Sequence, residues 1–133
     1  MMGMSQLVKA WLQAHRKESP VFVALSSLLV ATCLVPALGK LTAQPKMLAS
    51  ASHFGIQWPR YRLIGVAELA AAAGVLAGLF WLPTGVAAAS GMAVLLVGAL
   101  TVHRRVGDGL QEAAPAVVAL AVSLAYLAAA ISR

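Results

Sequence analysis

One carboxylate, Glu68, stands within an otherwise apolar segment, about two helical turns or roughly 10 Å along a helix from Tyr61. A lone acid in such a setting is costly and has to find a companion. On a helix it shares a stripe with Tyr61, Gly65 and Ala72, whose small members leave space for another helix or a bound group. Lys40, at the end of an earlier apolar run, is the nearest counter-ion, because its flexible stem can carry the ammonium inward. It follows Cys33, Pro36 and Ala37 along one stripe of its own helix. His103 closes a third apolar run, and imidazole is the side chain best suited to moving protons near neutral pH. Lys40, Glu68, His103, Cys33, Tyr61 and Gly65 therefore form the candidate ligand-binding or polar pocket. The same groups also read as a satisfied polar knot that fixes helix register, and the residues alone leave both readings open.

Other reactive side chains carry less. Cys33 is the single cysteine, so an internal disulfide and a CxxC redox pair are excluded, and it reads as a small packing residue. The three histidines sit at different depths, which gives no haem or metal site, and none is expected. Arg60, Arg62, Arg104 and Arg105 are read as headgroup contacts, with anion binding as the alternative. There is no GxGxxG motif and no β pattern.

The elements that must position these groups are membrane helices. Across 133 residues, 61% are hydrophobic and 11% charged, far from soluble usage. No charged side chain occurs between Ser19 and Gly39, between Leu69 and Val102, or between Ala113 and Ser132. Such gaps are long enough to cross a hydrocarbon core of about 30 Å. The net charge of +6 is carried by residues flanking the apolar runs, a pattern set by lipid and topology rather than by nucleic acid. The first apolar run has full spanning length and no cleavage-site pattern, so it reads as a retained helix and not as a signal peptide.

The expected fold is all-α, a membrane four-helix bundle with spans at about 20–39, 61–81, 84–103 and 113–132. Ser19 and Pro20 supply a cap and first turn, and Pro36 predicts a kink near Cys33. A short interfacial helix is expected in Pro45 to Phe54, stopped by Gly55, and Leu82-Pro83-Thr84-Gly85 is read as the turn between spans two and three. Residues 1–18 form a basic, amphipathic segment, compatible with an interfacial helix and equally with a solvated terminus. Residues 19–133 form the membrane domain. Gly74, Gly78, Gly91, Gly98, Ala121 and Ala125, with Ala129, are read as helix-packing positions, because lipid offers helices no hydrophobic reason to associate.

Connectivity gathers Lys40, Lys46, Arg60, Arg62, Glu68, Arg104, Arg105, Asp108, Glu112, His53 and His103 on one membrane side, opposite both termini. The basic residues on the two sides conflict as a positive-inside signal. With Lys40 and some arginines serving the bundle, both termini are expected in the cytoplasm, in a multi-pass protein of the cytoplasmic membrane.

Several of these residues form short motifs in a telling order: Gly39-Lys40-Leu41 closing span one, Gly65-Val-Ala-Glu68 early in span two, then Thr101-Val-His103 and Gly107-Asp108 after span three. In this the chain resembles the DoxX-like family of small four-helix membrane proteins, from about Val21 to Ala130. The family takes its name from a subunit of a thiosulfate:quinone oxidoreductase, and relatives are linked to membrane redox complexes or to the assembly of other membrane proteins. The resemblance implies an accessory subunit of quinone-linked redox chemistry, with quinone as candidate cofactor and a membrane redox protein as partner. It supports Lys40, Glu68 and His103 as the polar centre without supplying a catalytic mechanism. The alternatives are an assembly factor, chaperone or scaffold that binds client proteins, and a small-molecule or proton transporter acting as a homo-oligomer, a dimer in the simplest case.

Overall fold

The computed structural model describes residues 3–16 and 20–132. Six helices follow one another: α1 (Met4–Arg16), α2 (Pro20–Leu41), α3 (Pro45–Phe54), α4 (Trp58–Ala77), α5 (Leu82–Arg105) and α6 (Leu110–Ile131). Among the described residues there is no strand. The expected Ser19 cap lies outside the described residues.

Proline starts the helices. Pro45, Pro59 and Pro83 each occupy a first-turn position of α3, α4 and α5, where a missing amide hydrogen costs nothing and the fixed φ suits the helix. α3 ends where anticipated, at Gly55 with φ 68°, a left-handed conformation that suits glycine. Its amide returns to the carbonyls of Ala51 and Ser52. α2 runs on through Pro36 to Leu41.

Four helices close into a ring. α2 packs on α4, α4 on α5, α5 on α6 and α6 back on α2, with the α2–α4 interface the most extensive and α3 resting on α2 and α4. The ring is filled mostly by small side chains: Cys33, Ala37, Ala71, Ala72, Ala89 and Ala119 are buried, whereas Leu28, Val35, Leu63, Leu76, Val94 and Leu124 are exposed. This inversion of the soluble pattern is what an apolar solvent selects. Ser26 and Ser123, both buried, donate to the carbonyls of Phe22 and Ala119 one turn back on their own helices. Phe22 and Tyr126 close the end opposite α3, with ring centroids 5.0 Å apart.

Three helices, α2, α5 and α6, are long and apolar enough to cross a membrane. α4 is the fourth member of the ring but not of that set, because Arg60, Arg62 and Glu68 lower its apolarity. Of the four spans expected, three are helices long and apolar enough to cross a membrane, and α4 packs with them as the fourth member of the ring. The second span was also placed too late: α4 covers 58–77, the turn lies at 78–81, and Leu82-Pro83-Thr84-Gly85 opens α5 instead of forming the turn. The cause is Pro83, whose first-turn preference outweighs the turn signal of the following Thr-Gly.

Candidate functional site

Lys40 and Glu68 meet inside the ring. Lys40 Nζ lies 2.7 Å from Glu68 Oε1, and their side chains are only 9% and 6% exposed. Each comes from an element whose local structure dictates its place. Lys40 sits in the last turn of α2, where a cation complements the helix dipole. Glu68 lies on α4 about three turns inside its start, on the buried stripe of Tyr61, Gly65 and Ala72. Gly65 makes the approach feasible: a Cβ there would stand 2.8 Å from Lys40 Cβ and 3.4 Å from the carbonyl oxygen of Ala37. The space left by the small residues of this stripe is therefore occupied by α2 itself.

The contact meets ion-pair distance without a well-directed hydrogen bond at Oε1. Opposite charges this close in a poorly solvated interior remain strongly attracted, so the pairing outweighs the misalignment. Tyr61 covers the lysine: Nζ lies 5.1 Å from the ring centroid, within cation–π range. Its hydroxyl reaches Met47 Sδ of α3 at 4.0 Å. Met47 also packs against Gly39, where an added Cβ would meet its side chain at 3.0 Å. α3 thus forms a lid over the Lys40 end of the ring. Cys33 is fully buried in the core.

His103 does not join this pair. Its Nδ1 lies 2.7 Å from Asp108 Oδ2, and His53 Nε2 lies 2.7 Å from Asp108 Oδ1. One carboxylate therefore accepts from two rings, with Asp108 8% exposed, His103 16% and His53 52%. The hydrogen bond from His53 holds the Asp108 carboxyl below its ordinary value of 3.8, partly opposed by desolvation and reinforced by the bond from His103. Phe54 stands between the two centres, edge-on to His103 at 4.9 Å and 6.5 Å from the ring of Tyr61. The single polar centre read from the sequence is therefore two: a closed Lys40–Glu68 pair inside the ring, and a His53–Asp108–His103 bridge at its rim that ties α3 to the α5–α6 connection. The reason is local, since Gly107 with φ 78° turns the chain back so that Asp108 faces the last turn of α5.

Residues 24–126 match the DoxX-like family. The chain belongs to the DoxX-like family. The match takes in all of α3, α4 and α5 and most of α2 and α6, and so includes both polar centres of this DoxX-like protein; α1 lies outside it. No functionally curated protein and no solved structure matches the chain.

The remaining residues singled out from the sequence divide sharply. Arg60, Arg62, Arg104 and Arg105 are all exposed. Gly74 and Gly78 do pack against α5: a Cβ on Gly74 would stand 2.7 Å from Ala88 Cβ, and one on Gly78 2.6 Å from Gly85 Cα. Gly85, read from the sequence as a turn residue, is the tightest position, facing both Gly78 and the Tyr126 hydroxyl. Gly91 and Gly98 have nothing within 4 Å of where a Cβ would be, and Ala121 and Ala125 are exposed. These four face outward and take no part in packing the ring. α6 buries Ala119, Val122, Ser123, Tyr126 and Ala130 instead, because the large Tyr126 sets which face turns inward. Beside Gly91 an apolar groove of about 400 Å³ runs between α4 and α5, walled by Ala67, Ala70, Ala87 and Ala88. Among the described residues no group of three or more His, Cys, Asp or Glu side chains could hold a metal ion.

Proposed function

We propose that this DoxX-like membrane protein is an accessory subunit of quinone-linked electron transfer, in which the Lys40–Glu68 pair receives the headgroup of a quinone or quinol. The observation that carries this is an ion pair closed off from solvent beneath an aromatic lid. A stable ring does not require such a pair, since buried ions contribute little net stability compared with apolar side chains of the same volume. Chemically the two groups suit a quinone: an ammonium donates to a carbonyl oxygen, and a carboxylate accepts from a hydroxyl or takes its proton. Tyr61 offers a face on which a ring can stack. The sequence carries no flavin, haem or iron–sulfur motif, so electrons would come from or pass to a partner protein. Both charged groups are sheltered, so entry of a headgroup requires Lys40 to swing away from Glu68, with α3 and Tyr61 moving to admit it.

The test is the lipid extract of the protein purified in native membrane patches. Quinone retained by the wild type and by Glu68→Gln at reduced level, but lost from Glu68→Ala of unchanged helicity, supports the reading. An extract free of quinone from well-folded wild type overturns it.

A second reading, an assembly or scaffold protein, is favoured by one separate observation: Gly91, Gly98, Ala121 and Ala125 present small surfaces outward that the ring does not use. Crosslinking from these positions in native membranes distinguishes the two. One stoichiometric redox partner fits the accessory subunit, and varied membrane clients fit the scaffold.

A further inference from the structure

α1 is the helix that the ring does not explain. It runs from Met4 to Arg16, shares no extensive packing with any other helix, and lies outside the family match. Yet it is sharply two-sided. Met4, Leu7, Val8, Trp11 and Leu12 lie on one face and all are exposed, Trp11 at 59%. A helix of 13 residues is marginal in water on its own, so an exposed apolar face of this kind calls for an apolar surface to lie on.

Charge and tether identify that surface. Before Glu18 the sequence contains no acidic residue, while Lys9, Arg16 and Lys17 are cationic. Only residues 17–19 separate α1 from Pro20, the first residue of a helix long and apolar enough to cross a membrane. That link spans no more than about 14 Å even when fully extended. α1 is thus held at the level where α2 enters the bilayer, on the side away from α3. At the same end of the ring, the turn between α4 and α5 exposes Phe80 at 92% and Trp81 at 65%, aromatic side chains of the kind that settle at a headgroup boundary.

We propose that α1 is an anionic-lipid-binding helix that lies flat on the bilayer, with Leu7, Val8, Trp11 and Leu12 in the acyl boundary and the positive charge of the segment drawing it to acidic headgroups. The nearest apolar phase is the membrane itself, and a segment whose charges before Glu18 are all positive favours a leaflet rich in phosphatidylglycerol or a similar acidic lipid. The helix adds a lipid-dependent surface contact to a bundle whose own packing does not need it.

The experiment uses the full chain in nanodiscs, carrying Cys33→Ala and an environment-sensitive fluorophore on Leu12→Cys. Quenchers are placed either in water or on shallow lipid positions. In phosphatidylcholine mixed with phosphatidylglycerol, the fluorophore is expected to be shielded from the aqueous quencher and reached by the lipid-borne one. Changing Lys9, Arg16 and Lys17 to Glu is expected to lower the bound-to-free ratio by about tenfold or more, as high salt should also do. Equal shielding in pure phosphatidylcholine overturns the acidic-lipid assignment. Shielding from both quenchers means that protein covers the face and overturns the proposal, as does free access from water. Cys33→Ala leaves a small packing change, so the same fluorophore on Val8→Cys in a Cys33→Ser background serves as the control for folding artefacts.

Discussion

Lys40 and Glu68 are stable where they are because each removes the other's cost of leaving water. Lys40→Met strands the carboxylate inside the ring, and a loss of about 3–5 kcal/mol is expected. The pair replaced together, Lys40→Met with Glu68→Leu, should recover most of that loss, because well-packed apolar side chains do as well as a buried ion pair. Thermal unfolding in one detergent or lipid checks both. The double variant also separates structure from function: it keeps the bundle and should bind no quinone. At the opposite end of the ring, Gly85→Ala forces a methyl into the Tyr126 hydroxyl, with an expected cost of about 1–3 kcal/mol. Tyr126→Phe should relieve part of it in a double-mutant cycle. Gly78→Ala meets the Gly85 backbone instead, and Tyr126→Phe should not rescue it to the same degree.

At the scale of elements, α3 is a lid with an identifiable fastening. The His53–Asp108–His103 bridge ties it to the connection after α5, and Phe54 and Met47 pack beneath it. Asp108→Asn should loosen α3 while leaving the ring intact, seen as faster hydrogen exchange across 45–54 and little change elsewhere. The pH dependence follows from the lowered carboxyl. A group whose folded value lies below its ordinary one adds stability above that ordinary value, near 3.8, and loses it as pH falls through the lower folded value. Exchange in α3 should therefore show no carboxyl-linked acceleration down to about the ordinary value and rise only in stronger acid. Acceleration that sets in well above it would remove Asp108 as the fastening.

The short helix itself was legible, because Pro45 and Gly55 are unambiguous start and stop signals, but its role as a lid was not. Nor was its fastening. His53 and Asp108 are 55 residues apart, and no periodicity within one helix brings them together. Lys40 and Glu68 could be paired from topology, since both sit on buried stripes of neighbouring helices, whereas His103, grouped with them from the sequence, pairs with Asp108. The outward turn of Gly91, Gly98, Ala121 and Ala125 was equally hidden: a small residue marks close approach but does not say to what.

For the whole molecule, the chain is a helical membrane protein with both of its polar centres at the α3 end of the ring. If α4 crosses the bilayer as its place in the ring suggests, both termini share one side and α3 lies on the other. Maleimide labelling of Ser5→Cys and Ser52→Cys in intact cells, in a Cys33→Ser background, should then report opposite sides, and labelling from the same side would contradict the four-helix crossing.

In the proposed function, Glu68 is the group that a quinone headgroup engages. Infrared difference spectroscopy on the reconstituted chain, recorded as a short-chain quinone is added, reads that side chain directly. The expected result is a change in a carboxyl band that vanishes in Glu68→Gln and shifts when Lys40 is replaced by arginine. A difference spectrum identical in wild type and Glu68→Gln would contradict the account.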